Sequence, residues 1–577
     1  MSNMDNAYLV LIETSGNQNY IFSTNKLREN VGASELTYQA GTKWILEAVG
    51  VINDEEILRI WKNSARVRKL LRDSQKNPSI EDETLAKPVE VITAASGKAF
   101  LLTREEAKAQ EIIQSVTRKA LVSAPGLDVS GVYVKIDDWQ ADGSLAKAVV
   151  QVYKQFERAR SRRPSPENRF LRLPIVSSCA ISGLPATKLE KIGTQKVAIS
   201  QVSVSKRSKA KAAKDRLTEL DPRLKAQIDQ LLSDDDIEEE KRSWLAIVHA
   251  DGNGLGQIFL NFENYIGDDK SNRNYIEQYR KFSLALDECT EAAFKKALNV
   301  FPKESDKKSR ELAPIVPLII GGDDLTVVCD GHYALEFTKI FLREFETQTE
   351  NHDGIRAIAE AAFGVPRLSA CAGVAVVKRH FPFSVAYELA EKLIQSAKEV
   401  KKKVTQKKDE NTPFPCSAID FHILYDTSNV NLGDIRDRLK PETNVQLFHR
   451  PYVVTNIECL KEADGYLWAE AHRWSLLSDR IKCLKNAQSN QLNKAPVSSS
   501  QSHALRTALL IDKKSADSQY QLIQQRYDLK PFKESEDSLF HLTNDGTHET
   551  SFLDALDAME FFKNAETDNE SEPEVAG

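Results

Sequence analysis

Residues Pro314 to Cys329 read PIVPLIIGGDDLTVVC, and this stretch decides the fold of the region around it. Two apolar runs, Ile315 to Ile320 and Leu325 to Cys329, flank the tetrad Gly321-Gly322-Asp323-Asp324. Aliphatic and β-branched runs separated by a short Gly/Asp turn predict a β-hairpin. Two adjacent carboxylates at a hairpin tip repel each other, so folding alone does not select them. The tetrad is either a solvated Asp turn or a site that holds divalent metal over a triphosphate.

The composition is that of a soluble globular protein with room for three or four domains. The chain has 577 residues, 41% of them hydrophobic and 28% charged, and a net charge of −6. This negative net charge argues against a protein that binds nucleic acid over most of its surface, although binding at local basic patches remains an alternative. None of the seven cysteines forms a CxxC pair, so neither a zinc ribbon nor a disulfide framework is expected. Without a signal-peptide pattern or a membrane-length apolar run, the sequence predicts a cytoplasmic protein.

One order of elements (strand, helix, hairpin, helix, strand, helix) occurs twice in the chain. The first copy has strand candidates at 7–12, 89–92, 99–102 and 131–136, and a last helix candidate at 145–160. The second copy uses WLAIVHADGNGLGQIF (244–259), the hairpin, CAGVAVVK (371–378) and AYELAEKLIQSAKEVKK (386–402). This internal duplication predicts two α/β layers with a ferredoxin-like palm arrangement.

The two copies differ where chemistry is expected. When the two copies are aligned by sequence alone, Asp251 aligns with Ser15, and Asp323 and Asp324 align with Gly97 and Lys98. On this alignment the first copy has lost every acid of the predicted metal site. The second copy is therefore predicted to be catalytic, and the first to form the facing wall of the site.

The second acidic element is Asp251-Gly252-Asn253-Gly254, at the end of a predicted strand. A carboxylate there can bind metal, and the glycines let backbone approach a phosphate. In a palm this strand lies beside the hairpin, which would bring Asp251 to Asp323 and Asp324. Three carboxylates with two divalent ions would activate an attacking ribose hydroxyl and offset charge on a transferring phosphoryl group.

Several basic residues have two open interpretations. Lys398, near the end of the helix 386–402, can reach triphosphate oxygens, or it can simply complement the helix dipole. Between the two copies, the basic runs 158–172 and 206–214 and the acidic run 234–240 indicate an exposed linker or insertion. The basic run 206–214 is expected to be a solvated loop, with phosphate binding as the alternative.

The chain resembles the large, palm-containing subunit of type III CRISPR effector complexes. This polymerase/cyclase family shares wider ancestry with diguanylate cyclases of the GGDEF class. The resemblance rests on HADGNGLGQIF (249–259), IIGGDDLTVV (319–328), the helix 386–402 and SAIDFHIL (417–424). It covers roughly residues 1–425 and is strongest over 244–425.

The resemblance implies two facing palms with nucleoside triphosphates, most readily ATP, between them. It implies synthesis of cyclic oligoadenylate, or a related cyclic nucleotide messenger, in antiviral defence. Asp251, Asp323 and Asp324 would be catalytic ligands of Mg²⁺ or Mn²⁺ in a two-ion site. Ser15, Gly97 and Lys98 would face the shared cleft without binding metal. The implied nucleotide-binding residues are Gly252, Asn253, Gly254, Gly321, Gly322 and Lys398.

Two departures from that family's pattern lead to further expectations. Full-length members often begin with an HD nuclease domain, whereas this sequence begins with the first palm and has only an isolated His352-Asp353 pair. No DNase is therefore expected. The family's cysteine-rich zinc element is reduced to Cys179, so no zinc is expected either.

Two other functions compete with the cyclase. One is an RNA-binding scaffold subunit that carries guide or target RNA and partner effector subunits, with its cyclase unused. The other, a diguanylate cyclase, is less favoured because that class commonly acts as a dimer of identical catalytic domains.

The sequence thus predicts an α/β (α+β) chain in five segments. They are a degenerate first palm (1–160), a linker or insertion (161–243), a second palm with GGDD (244–428), a C-terminal helical domain (429–565) and a disordered acidic tail (566–577).

Overall fold

The computed structural model describes residues 7–53, 60–82, 87–95, 97–164, 166–192, 195–232, 244–302, 314–425, 430–485, 497–527, 529–533, 538–543 and 546–562. The predicted acidic run 234–240 and the predicted disordered tail 566–577 lie outside these residues. Within them, no helix combines the length and the apolar character needed to cross a membrane.

Residues 7–161 form a four-stranded antiparallel sheet covered by helices. Its elements are β1 (Ala7–Ser15), α1 (Asn17–Phe22), α2 (Leu27–Gly41), α3 (Lys43–Ile52), α4 (Ser64–Arg72), β2 (Val89–Ala95), β3 (Lys98–Thr103), α5 (Glu106–Ser123), β4 (Asp128–Ile136) and α6 (Ser144–Ser161). The strand order is β2-β3-β1-β4, with the hairpin β2–β3 at one edge. Aliphatic residues fill β1, and Leu9, Val10 and Leu11 are fully buried, as expected of a central strand with both faces covered.

A hairpin and two helices connect this palm to the second. They are β5 (Ala186–Ile192), β6 (Gln195–Ser200), α7 (Gln201–Leu220) and α8 (Leu224–Leu232). The basic run 206–214 therefore lies inside α7, and the prediction of a solvated loop is wrong. Lys206 is only 1% exposed, and its ammonium group donates to the Tyr20 carbonyl and to Ser23 Oγ. Packing of α7 against the first palm outweighs the high charge of its sequence.

The second palm repeats the architecture of the first. Its elements are β7 (Trp244–Gly252), α9 (Leu255–Leu260), α10 (Asn272–Ala297), β8 (Ile315–Gly321), β9 (Asp324–Asp330), α11 (Gly331–Glu350), α12 (Arg356–Phe363), β10 (Ala370–Lys378), α13 (Phe383–Ala397), α14 (Val400–Lys403), β11 (Thr405–Gln406), β12 (Asp409–Pro413) and β13 (Ala418–Ile423). The order β8-β9-β7-β10 matches β2-β3-β1-β4 strand for strand. The predicted fold class, with two palms of ferredoxin-like topology, is confirmed.

The C-terminal region is mainly helical, with short strands between the helices. Its elements are α15 (Leu432–Arg438), β14 (Val445–Gln446), β15 (Tyr452–Val453), β16 (Ala463–Asp464), α16 (Tyr466–Ala471), α17 (Trp474–Lys485), α18 (Ser499–Leu509), α19 (Lys513–Gln524), β17 (His541–Leu542), β18 (His548–Glu549) and α20 (Phe552–Ala558). β13 and β15 extend the second palm sheet to six strands in the order β15-β13-β10-β7-β9-β8. The region therefore completes the edge of the palm sheet that is remote from the acidic hairpin.

Aromatic and ionic contacts hold the two palms together. Phe22 of α1 stacks on Tyr387 of α13, with ring centroids 4.1 Å apart. Glu90 of β2 is fully buried, and it accepts hydrogen bonds from Arg273 Nη1 at 2.9 Å and from Arg280 on α10. A buried carboxylate needs such compensation, so the relative position of the palms is closely determined.

Candidate active site

A cavity of about 870 Å³ lies between the two palms. Its walls come from the hairpin β2–β3 on one side and from the end of β7 and the hairpin β8–β9 on the other. All three predicted catalytic acids border it. The predicted residues that line it are Gly97, Lys98, Asp251, Gly252, Gly254, Gly321, Gly322, Asp323, Asp324 and Lys398.

Strand pairing sets the positions of the acids. The hairpin β8–β9 turns just before Asp324, the first residue of β9, and Asp323 precedes it in the turn. Strand β7 pairs with β9 as far as Ala250 and Leu325. Asp251 is the next residue of β7, so the pairing places it beside Asp324 at the same end of the sheet.

Glycines allow the close approach of these segments. A Cβ on Gly252 would lie 2.8 Å from the Cβ of Asp323, which real Cβ contacts do not tolerate. Gly322 and Gly254 have φ angles of +61° and +76°, a left-handed conformation that favours glycine. The tight turn and the acid-bearing strand end therefore both require glycine at these positions.

The structure places Asn253 differently from the prediction. Its side chain is buried, and Nδ2 donates to Ser369 Oγ at 3.0 Å and to the carbonyl of Cys416 at 3.1 Å. It is not among the residues that line the cleft. Local hydrogen bonds thus turn this side chain into the protein, where it supports the loop, and the nucleotide contact expected from the backbone here stays a prediction.

Acidic side chains are concentrated on the second-palm side of the cleft. Burial, together with the charges of Asp251 and Asp324, raises the pKa of Asp323 to about 8. Burial, with the charge of Asp251, also raises the pKa of Asp324 well above its usual range. Lys398, the residue that follows α13, donates a hydrogen bond from its ammonium group to Asp251 Oδ2. One lysine thus partly compensates three carboxyl groups.

His249 is a site residue that the sequence analysis did not single out. It lies two residues before Asp251 on β7, and residues i and i+2 of a strand share a face. Its Nδ1 is 3.0 Å from Thr326 Oγ1 and 3.5 Å from Asp324 Oδ1. Burial lowers the pKa of His249, so the ring is neutral near pH 7. A polar residue inside an apolar strand was the signal that could have identified it.

The carboxyl groups have the donor chemistry of a divalent-metal site. Asp324 Oδ1 is buried and has no hydrogen-bond partner among the described residues, which leaves a lone pair for a cation. Among the described residues, no three His, Cys, Asp or Glu side chains are arranged so that they could hold a metal ion as they stand. Asp251 is instead ion-paired with Lys398. Hard oxygen donors of this kind suit Mg²⁺ or Mn²⁺, provided that Asp251 exchanges its lysine partner.

The first palm keeps an acid at the position equivalent to Asp251. Glu13 pairs with Lys98, the first residue of β3, just as Asp251 lies beside the first residue of β9. Ser15 lies two residues further on, opposite Asp128 of β4. The predicted equivalence of Ser15 with Asp251, and the conclusion that the first palm has lost every acid, are therefore wrong.

Lys98 changes the electrostatics of this first-palm site. Its Nζ lies 3.9 Å from Glu13 Oε2 and donates to the hydroxyl of Tyr153. Burial raises the pKa of Glu13, and the charge of Lys98 lowers it in part. Gly97 stands where the second palm has Asp323. The first palm therefore presents an acid paired with a lysine to the cleft, opposite an acidic cluster that Lys398 compensates only in part.

Comparison with known proteins relates the second palm to one family. Residues 244–407 match the family model described as Cas10/Cmr2, second palm domain. This segment is similar to the second palm of Cas10/Cmr2 proteins. The predicted resemblance to the large palm-domain subunits of type III CRISPR effector complexes is therefore confirmed over the second palm. No curated protein matches the chain.

A solved type III-B Cmr-beta structure is similar to the chain in fold. A chain of the type III-B Cmr-beta cryo-EM structure of the apo state aligns with a TM-score of 0.51 at 10% identity, over 96% of this chain and 81% of that one. A Csm1-Csm4 cassette in complex with AMPPNP aligns at 12% identity with a TM-score of 0.44, over 93% of this chain and 65% of that one. The same cassette with cA4 aligns at 12% identity with a TM-score of 0.37, over 69% and 54%. The chain thus spans less than two thirds of those Csm1-Csm4 chains.

Proposed function

We propose that the chain is a metal-dependent nucleotidyltransferase that makes a cyclic nucleotide, most readily a cyclic oligoadenylate from ATP, in CRISPR-type defence. One observation carries the proposal: Asp251, Asp323 and Asp324 border a cleft that two palms share. The cavity volume of about 870 Å³ falls within the range of about 300–1,000 Å³ usual for small-molecule sites.

The three carboxylates would hold the metal. A bound divalent ion would supply charge stabilisation for phosphoryl transfer and activation of an attacking ribose hydroxyl. Lys398, once displaced from Asp251, can bind phosphate oxygens, and Lys401 lines the same cleft. Gly322 and Gly254 keep backbone close to the nucleotide without side chains in the way.

The proposal is tested by incubating the protein with ATP, GTP and Mg²⁺ or Mn²⁺ and resolving products by mass spectrometry. The matched control is Asp323→Asn/Asp324→Asn, which keeps the shape of both side chains. Cyclic products that are lost in the variant would establish the activity and identify the base. If no product forms with the protein alone, or with partner subunits and target RNA added, the proposal is wrong.

A second candidate function is an RNA-binding scaffold subunit. The observation that favours it is a run of exposed arginines at the end of α6 and beyond it. They are Arg158, Arg160, Arg162 and Arg172. Such guanidinium groups can contact phosphates without reading sequence. Co-purified RNA, measured by absorbance at 260 nm and lost when these arginines become glutamine, would support this function.

A further inference from the structure

Two side chains of helix α10 form hydrogen bonds with the GGDD turn. The N–H of Gly322 donates to Asp287 Oδ1 at 3.1 Å, and its carbonyl accepts from Thr290 Oγ1. Asp287 and Thr290 are three residues apart and so share one helix face. Both backbone polar groups of one residue, directly before the catalytic acids, are thus bonded to two side chains of a single helix.

Asp287 is itself held from the first palm. Arg68 of α4 donates through Nη1 to Asp287 Oδ2 at 2.6 Å and through Nη2 to Glu291 Oε2 at 2.8 Å. The side chains of Arg68 and Asp287 are only 7% and 14% exposed. One oxygen of Asp287 therefore contacts the turn of the second palm, while the other contacts a helix of the first.

Two neighbouring contacts between the palms do not reach the turn in this way. Ser34 Oγ of α2 donates to the carbonyl of Leu318 in β8, several residues before the turn. Arg72, one helical turn after Arg68, bonds Glu288 and not Asp287. Arg68 is thus the first-palm residue that joins Asp287, and Arg72 provides a neighbouring ion pair for comparison.

We infer that Asp287 is a positioning residue for the catalytic turn and that Arg68 makes the position of this turn depend on the first palm. A buried carboxylate that loses its guanidinium partner is no longer fixed in one orientation. Movement of α4 would then pass through Asp287 to Gly322 and displace Asp323 and Asp324. The catalytic consequence rests on the proposed nucleotidyltransferase function, whereas the mechanical link does not.

Hydrogen exchange measured by mass spectrometry tests the mechanical link without any activity. In Asp287→Ala and Arg68→Met, peptides covering 315–330 should exchange about tenfold faster, because a charge-assisted bond to the turn is lost or loosened. Arg72→Met should leave these peptides unchanged. The double variant Arg68→Met/Asp287→Asn removes the charge of Asp287 that Arg68→Met leaves without its guanidinium partner, and it keeps an acceptor for Gly322. Its peptides at the turn should therefore exchange more slowly than those of Asp287→Ala.

Two results would overturn the inference. One is unchanged exchange at the turn in Asp287→Ala. The other is faster exchange spread equally over β7 and β10, which would mean general destabilisation of the palm.

Kinetics separate positioning from folding and from nucleotide affinity. If the chain makes a cyclic product, Asp287→Ala should lower kcat about 10- to 100-fold with little change in KM, because displaced catalytic groups cost that much. The double variant should recover part of kcat relative to Asp287→Ala, because Gly322 keeps its acceptor. A change in KM alone would contradict the positioning role. Absence of product in the wild type would count against the proposed function and leave the exchange result to decide the link.

Discussion

Glu13 of the first palm and Asp251 of the second occupy the same position relative to their hairpins. In each palm this acid follows the strand residue that pairs just inside the hairpin, Ile12 with Ala99 and Ala250 with Leu325. The hairpin residue opposite this acid has a different charge in the two palms, because β3 begins with Lys98 and β9 begins with Asp324. The first palm thus takes the compensating lysine from its own hairpin, whereas the second has another acid there and pairs Asp251 with Lys398.

The first prediction concerns the two hairpin glycines. Gly97 has φ +93°, and a Cβ there would lie 2.3 Å from Thr14 Oγ1. Gly97→Ala should therefore lower the free energy of unfolding by about 3 kcal/mol through strain and overpacking. Gly322→Ala is the control, because no atom lies within 4 Å of its Cβ position, and it should cost only about 1 kcal/mol. Urea titrations of both variants measure the difference, and equal losses would contradict the steric argument.

The second prediction concerns removal of metal. In EDTA, Asp323→Asn/Asp324→Asn should have a higher Tm than the wild type, because burial and neighbouring charge raise the pKa of both acids, so folding must either protonate them or bury their charge. Adding Mg²⁺ should raise the Tm of the wild type by mass action and leave that of the variant unchanged. Differential scanning calorimetry checks both statements. A Mg²⁺ effect of equal size in the two proteins would show that the ion binds elsewhere.

The third prediction concerns competition between Lys398 and metal for Asp251. Without nucleotide, Lys398→Met should bind Mn²⁺ about tenfold more tightly, because one charge-assisted hydrogen bond no longer has to break. The same variant should bind ATP more weakly. Lys401→Met is the matched control, since Lys401 lines the cleft without bonding Asp251. Electron paramagnetic resonance of free Mn²⁺ measures the affinities, and weaker Mn²⁺ binding by Lys398→Met would refute the competition.

The fourth prediction concerns pH and the buried Lys206. Burial lowers the pKa of Lys206 from 10.5 to about 8. The unfolded chain therefore binds more protons than the folded one between these two values. Raising the pH through this window should stabilise the wild type relative to Lys206→Met by up to ~1.4 kcal/mol per pH unit. Urea unfolding of both proteins from pH 7 to pH 10.5 tests this, and a difference that does not change with pH would contradict it.

Local patterns predicted most of the palm elements. The hairpin predicted at 315–320 and 325–329 is found at Ile315–Gly321 and Asp324–Asp330. These runs are apolar and β-branched, and the turn needs glycine, so neighbouring residues alone specify the element. The helix predicted at 386–402 is instead divided between Phe383–Ala397 and Val400–Lys403. The composition of this segment does not indicate the break between the two helices.

The residue-by-residue alignment of the two palms could not be obtained from the sequence alone. Matching Ser15-Gly16-Asn17 to Asp251-Gly252-Asn253 displaced the alignment by two residues. The structure instead makes Gly16 equivalent to Gly254, since each precedes a helix in a left-handed conformation, with φ of +63° and +76°. A shift of two preserves the strand face, so the sequence pattern contains no sign of the error.

By itself, the sequence determined the duplicated palm pattern, the acidic turn and the family that the second palm resembles, because these depend on short-range periodicity and on motifs. Only the tertiary structure decided which first-palm acid faces Lys98, where Lys206 is buried, and that Arg68 reaches the acidic turn through Asp287. Each of these depends on pairing between segments far apart in the chain. Such pairing is selected by burial and by charge compensation in the folded protein, which no local pattern records.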